Sequence, residues 1–179
     1  MSVHADALEV LTRWHAPNDG QRRLQQSYVE HLVQHPDGTF RECLPDHITA
    51  STLVVGSDRQ HVLLNHHRKY DIWVQFGGHC DADDPSLAFA ALREAVEESG
   101  IPDLRLVGGS PVQLSTHEVQ CGPIRPSHHL DVRYVAVADT EAAPRTSKES
   151  LDVRWFALGD LPGVLDRQLV ELIDLARWV

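Results

Sequence analysis

One stretch constrains this chain more than any other: residues 77–101, GGHCDADDPSLAFAALREAVEESGI. Two glycines lead into an acid-rich loop, a helix-forming run carries R-E-A-V-E-E, and a glycine closes it. Over a helix at 86–99, stepping about 100° per residue from Glu94 puts Glu98 near about 40° and Glu97 near about −60°. Phe89, Leu92, Ala95, Val96 and Ser99 fall between about 100° and 220°. One face can therefore pack on a sheet while the other gathers three carboxylates. Without a cation, Glu94 and Glu98 repel each other as like charges one turn apart. Hard divalent ions take such oxygen ligands, and Mg²⁺ combines a few carboxylates with water and substrate phosphates. The glycine pair lets backbone carbonyls come close to a metal. Gly100 stands where a helix stops in the left-handed conformation, and Asp83 or Asp84 ahead of Pro85 reads as the N-cap. Arg93 flanks the carboxylate face and can hold one of its acids through a forked hydrogen bond.

Composition limits the partners. A chain of 179 residues makes one domain with a sizeable core. Its net charge of −10 argues against a nucleic-acid polymer or an anionic membrane as partner, since both require clustered Lys and Arg. A small phosphorylated substrate remains compatible, provided a metal supplies the positive charge. The N-terminus lacks a basic start followed by an apolar run, no stretch reaches the roughly 18 apolar residues of a membrane span, and three scattered cysteines make no disulfide framework. The expectation is a soluble cytoplasmic protein.

The flanks of the stretch organise around it. Residues 2–15 read as a helix with Ala7, Leu8, Leu11 and Trp14 on one side. A second helix over about 19–35 turns Leu24, Tyr28, Leu32 and Val33 inward. This pair, residues 1–46, is expected as a helical extension packed on a main domain at 47–179. It reads as structural cover, a homodimer surface or a substrate-specificity element. Strands are expected at 48–56, 61–67, 72–76, 104–109, 112–119, 128–139 and 152–158. A closing helix from about 164 to 178 buries Val164, Leu165, Leu169, Leu172, Ile173 and Ala176. Strands around one central helix, with a second helix at the end, predict an α/β fold with a mixed sheet sandwiched between helices.

Residues 78–101 resemble the Nudix box, G-x5-E-x7-R-E-U-x-E-E-x-G-U with U a bulky apolar residue. Gly78, Arg93, Glu94, Glu97, Glu98, Gly100 and Ile101 match its positions. Asp84 replaces the first Glu, eight residues rather than seven separate it from Arg93, and Ala95 is small where a bulkier residue is usual. The lead-in IWVQFGG is similar to the family's W-x-x-P-G-G, with Phe76 in place of proline. The resemblance implies a Nudix-like α/β/α sandwich and Mg²⁺- or Mn²⁺-dependent hydrolysis of a phosphoanhydride in a nucleoside diphosphate-linked substrate. It implies metal binding by Glu94, Glu97, Glu98 and the Gly78 carbonyl, with Arg93 in the catalytic set. Glu94 or Glu149, the latter from the polar loop at 140–150, is the candidate general base. Two other readings share the fold: a catalytically silent nucleotide sensor, and an isoprenoid-diphosphate isomerase using a cysteine such as Cys80.

Other residues invite roles beside the box. Arg68 can meet phosphate, Trp73 a base or sugar, and His79 a phosphate or its own loop. Along 128–138, alternation places His129, Asp131 and Arg133 on one face, which suits a cleft wall or an Asp131–Arg133 ion pair. Histidines cluster at 66–67, 79 and 128–129, yet a zinc site built from Cys80, Cys121 and nearby histidines has no ligand spacing to support it.

Overall fold

The computed structural model describes residues 1–120 and 123–179. Its centre is a parallel pair, β1 (His47–Gly56) and β7 (Ser127–Ala138), in register from His47↔His129 to Gly56↔Ala138. Every residue of β1 is buried, as suits a strand covered on both faces. Each outer edge of this pair is divided between two antiparallel partners. The N-terminal half of β1 pairs with β4 (Phe76–His79), and its C-terminal half with β2 (His61–His67). Likewise β7 pairs with β6 (Gln113–Val119) at its start and β5 (Arg105–Leu106) near its end. β3 (Ile72–Val74) and β8 (Ser150–Ala157) both pair with β2 and complete an eight-stranded mixed sheet. β2 and β4 part halfway along β1, and a cleft opens in the fork between them, lined by Asn65, Gln75, Gly77 and Gly78.

Helices cover both faces. Val54 of β1 packs with Leu63, Phe76 and Ala95 under α3 (Leu87–Ser99). Leu53 and Val55 point the other way, onto Leu169, Leu172 and Ile173 of α4 (Arg167–Leu175). A 3-10 turn at Ala176–Trp178 ends the chain. The first two helices, α1 (Val3–Arg13) and α2 (Asp19–Gln34), precede the strands and share their core. Val3, Ala7, Leu11, Tyr28 and Leu32 pack in one cluster with Ile48, Ala50, Leu130 and Val132. Two polar contacts tie them in further. Asp6 accepts from the Leu87 N–H at 2.8 Å, satisfying a free donor at the start of α3. The Gln21 amide accepts from the Leu114 N–H at 2.6 Å and donates to its carbonyl at 2.9 Å, which closes the outer edge of β6.

Several expectations fail for local reasons. The N-cap of α3 is Ser86, accepting from Phe89 N–H at 3.1 Å, and Pro85 lies before the helix instead of in its first turn. Phe89 is 48% exposed, because α3 meets the sheet through the small residues Ala90, Ala91 and Ala95. That close approach lets Thr52 donate to the Ala91 carbonyl at 2.9 Å. Val33 is 67% exposed, since the buried stripe of α2 runs through Tyr28 and Leu32. Val164 is 86% exposed because α4 begins only at Arg167, where Asp166 accepts from Gln168 N–H at 2.8 Å. The run 104–109 forms a two-residue strand only, for Gly108 and Gly109 both adopt positive φ.

Candidate active site

Arg93 draws the acid-rich loop onto α3. Its Nε donates to Asp84 Oδ1 at 3.0 Å and its Nη2 to Asp84 Oδ2 at 2.9 Å, a two-pronged grip on a carboxylate that is 3% exposed. Its remaining donors reach Glu94 Oε1 at 2.9 Å and the His79 carbonyl at 3.0 Å, with Glu97 Oε2 at 3.5 Å. Asp84 Oδ2 also accepts from the Asp81 N–H at 2.7 Å. The sequence offers Asp84 as an N-cap; in the structure it instead closes the loop on the helix. One guanidinium thus fixes the loop, the end of β4 and one wall of the carboxylate face.

Two glycines let β4 lie against that face. A Cβ on Gly78 would come within 2.7–2.9 Å of the Glu94 carboxylate, so only glycine leaves room for it. One residue earlier, the Gly77 N–H donates to Glu98 Oε2 at 3.0 Å. Glu98 is only 8% exposed, against the expectation of a face free of packing. Burial pushes its carboxyl up to about 8, with the Gly77 bond pulling the other way and Glu94 adding repulsion. Burial also raises Glu94. At Gly100 the helix ends as its sequence predicts, with φ 68° and an N–H bonded to Val96 O at 2.9 Å.

A cavity of about 790 Å³ stands in front of these groups, lined by Gly78, Glu94, Glu97, Glu98, Lys148 and Glu149. It shares Gly77, Gly78, His79, Glu98, Lys148 and Glu149 with the 670 Å³ cleft in the strand fork. Its lining is rich in carboxylates beside the glycine-led strand, an oxygen-rich wall that would suit a hard divalent cation. Two carboxyls held above their ordinary values by burial are groups such a cation would relieve.

The other sequence candidates divide. Glu149 reaches the cavity. Arg68 lines the fork, but its guanidinium donates to the Lys148 and Ser150 carbonyls at 3.1 and 2.8 Å, pinning the turn that carries Glu149. Trp73 stacks on His66 with ring centroids 4.8 Å apart and meets Phe156 edge-on, within the cluster under α4 and away from the box. Arg133 is buried in an ion pair with Asp131 at 2.9 Å and donates to Gln113 Oε1 at 3.0 Å. His79 lines both cavities and its ring faces other histidines. Cys80 is a core residue whose thiol burial pushes up to about 12, and Cys121 lies outside the described residues. Arg41 and Lys148, which also line both cavities, carry no sequence signal that separates them from ordinary surface cations.

A curled mixed sheet with a glycine-led loop and an R-E-x-x-E-E helix on one face defines a Nudix-type domain, and the NUDIX domain family model matches residues 45–178. The chain belongs to the Nudix family. Solved structures agree at the level of the fold. A NUDIX-family hydrolase from Clostridium perfringens superposes with TM-score 0.60 at 22% identity, covering 73% of this chain and 95% of that one. The NUDIX domain of Shewanella oneidensis NrtR, solved with ADP ribose, gives 0.56 at 22% over 83% and 96%. A MutT NUDIX hydrolase from Burkholderia pseudomallei gives 0.53 at 22% over 73% and 97%. No curated protein matches the sequence. No helix among the described residues is long and apolar enough to cross a membrane.

Proposed function

We propose that the chain is a Mg²⁺- or Mn²⁺-dependent pyrophosphohydrolase of a nucleoside diphosphate-linked substrate, with residues 47–179 as its hydrolase domain and 1–46 as a helical extension sharing the core. The observation that carries this reading is the convergence of Gly78, Glu94, Glu97, Glu98 and Glu149 on one cavity. Glu94, Glu97, Glu98 and the Gly78 carbonyl are the ligand set. A divalent cation held there would supply the charge that neutralises pyrophosphate oxygens and acidifies a water. Arg93 holds Glu94 and the end of β4 in place and touches no reacting atom. Lys148 and Arg41, which line the same cavity, offer charge to the phosphates. Glu149 takes the proton of the attacking water: it is exposed, it reaches the cavity, and it is free of the guanidinium that restrains Glu94.

Relatives of the fold include a domain solved with ADP ribose, which makes that compound a natural first substrate to try. The test is a panel of ADP-ribose, nucleotide sugars, dinucleotides and (d)NTPs with Mg²⁺, reading released phosphate or nucleoside monophosphate. Metal-dependent turnover of one class is expected. Tight nucleotide binding without turnover would make the chain a sensing module, and turnover undiminished in excess chelator would refute the ligand set.

A further inference from the structure

Beside the box, the sheet brings three histidines from three different strands to one point. His47 and His129 are direct register partners across β1 and β7, and His79 pairs two residues further along β1, opposite Thr49. Alternation turns all three to the same face of the sheet. Their rings lie with centroids 5.0–5.1 Å apart, and one ring nitrogen from each lies within 4.8 Å of the other two. The Nε2 atoms of His47, His79 and His129 are each buried without a hydrogen-bond partner. Three orphaned nitrogens in one cluster of rings are costly, since a buried nitrogen loses its water and gains nothing in exchange.

The hydrogen bond behind His47 assigns its tautomer. Its Nδ1 lies 3.2 Å from the Cys43 carbonyl, which can only accept, so Nδ1 carries the proton and Nε2 presents a lone pair. A ring that donates its far N–H to a carbonyl while its near nitrogen points into a cluster is the arrangement that orients histidine on a metal.

We propose that His47, His79 and His129 form a transition-metal site, for which Zn²⁺ is the fitting ion, separate from the carboxylate site of the box. Three imidazoles supply three of four tetrahedral positions, and imidazole selects Zn²⁺ over Mg²⁺, which takes oxygen. Tetrahedral Zn–N bonds of about 2.0–2.1 Å place ligand nitrogens about 3.4 Å apart, inside the 4.8 Å within which these ring nitrogens lie. The site clamps β4, β1 and β7 together at the residue after Gly78. His117, the register partner of His129 on β6, stands next in the row with its ring 5.4 Å from that of His129.

The test uses the whole chain without a tag, stripped with chelator, then titrated with Zn²⁺ and with Co²⁺ in excess Mg²⁺. One equivalent should bind by calorimetry, and X-ray absorption of the Zn²⁺-loaded wild type should show imidazole nitrogens at about 2.0–2.1 Å. His129→Ala should lose affinity by at least about tenfold, the scale on which even supporting residues matter, while Glu97→Gln should keep it. An absence of stoichiometric binding to wild type, or a shell of oxygen or sulfur without imidazole, overturns the site. If His129→Ala does not fold, a wild-type shell of several imidazoles without sulfur supports the site, and a mixed imidazole–sulfur shell, as His35, Asp37 and Cys43 would give, overturns it.

Discussion

Gly78 and His79 are neighbours in the chain, yet they belong to two regions built on opposite principles. On the Gly78 side stand carboxylates presented by one helix and braced by Arg93, with room for substrate in front. On the His79 side stand imidazoles from three strands, crowded, one buried and two half-buried, with their Nε2 atoms short of partners. The first region is a set of hard oxygen donors whose cost is mutual repulsion. The second is a set of nitrogen donors whose cost is desolvation. A cation relieves either, but not the same cation, so chemistry alone separates the two regions where the chain does not.

The largest expected effect bears on that separation. Glu98→Gln should cut Mg²⁺-dependent turnover by about a thousandfold, since metal-supplied charge stabilisation is worth several kcal/mol. Calorimetric binding of Zn²⁺ should stay at one equivalent. If the same substitution abolished Zn²⁺ binding, the two regions would be one site.

Next in size is the brace. Arg93→Ala strands Asp84, a carboxylate 3% exposed, without its two-pronged partner. Removing one partner of a buried pair costs about 3–5 kcal/mol, which urea denaturation would read directly. A change under 1 kcal/mol would mean that the loop relaxes into water and that the box half of the comparison is less rigid than its hydrogen bonds imply.

Glu149→Gln is expected to lower kcat by about 10²-fold with little change in KM or Tm, the scale of losing a general base from an exposed turn. If KM rises at constant kcat, Glu149 contributes to binding and Glu94 becomes the base.

The two regions also differ in how far the sequence discloses them. The carboxylate helix is legible because its residues are contiguous, follow one period and end on Gly100. Even there, legibility stops at tertiary contacts. Asp84 reads as a cap but is taken by Arg93, and Glu98 reads as exposed but slides under the Gly77 N–H. Phe89 reads as core, yet the alanines set the packing face. The histidines at 47, 79 and 129 are 32 and 50 residues apart, and no spacing rule joins them. Only the parallel register of β1 with β7, and the antiparallel register of β4 with β1, makes them adjacent. Register is a long-range property, so cysteine-and-histidine spacing looks for a zinc site around Cys80, which is core, and passes over the row of rings.

The smallest effect divides the regions by proton linkage in metal-free protein. Burial raises Glu98 from 4.5 to about 8, so the folded state holds a proton that the unfolded chain has released. Stability from this group is complete below pH 4.5 and is lost as pH rises toward 8. The histidines run the other way. Burial lowers His79 from 6.5 to about 4 and His129 from 6.5 to about 2, so below 6.5 the unfolded chain takes protons that the fold refuses. Stability from these groups is complete above 6.5 and is lost as pH falls through 4 toward 2. Above 6.5 the carboxylate limb stands alone, and below 4.5 the imidazole limb does. Thermal denaturation in chelator should therefore give a Tm that declines on both sides of a mildly acidic maximum. Glu98→Gln should flatten the alkaline limb only, and His129→Gln the acid limb only. Added Mg²⁺ should lift the alkaline limb most, because binding needs the carboxylates deprotonated. If Glu98→Gln left the alkaline decline unchanged, the buried carboxylate would not be the group that carries it.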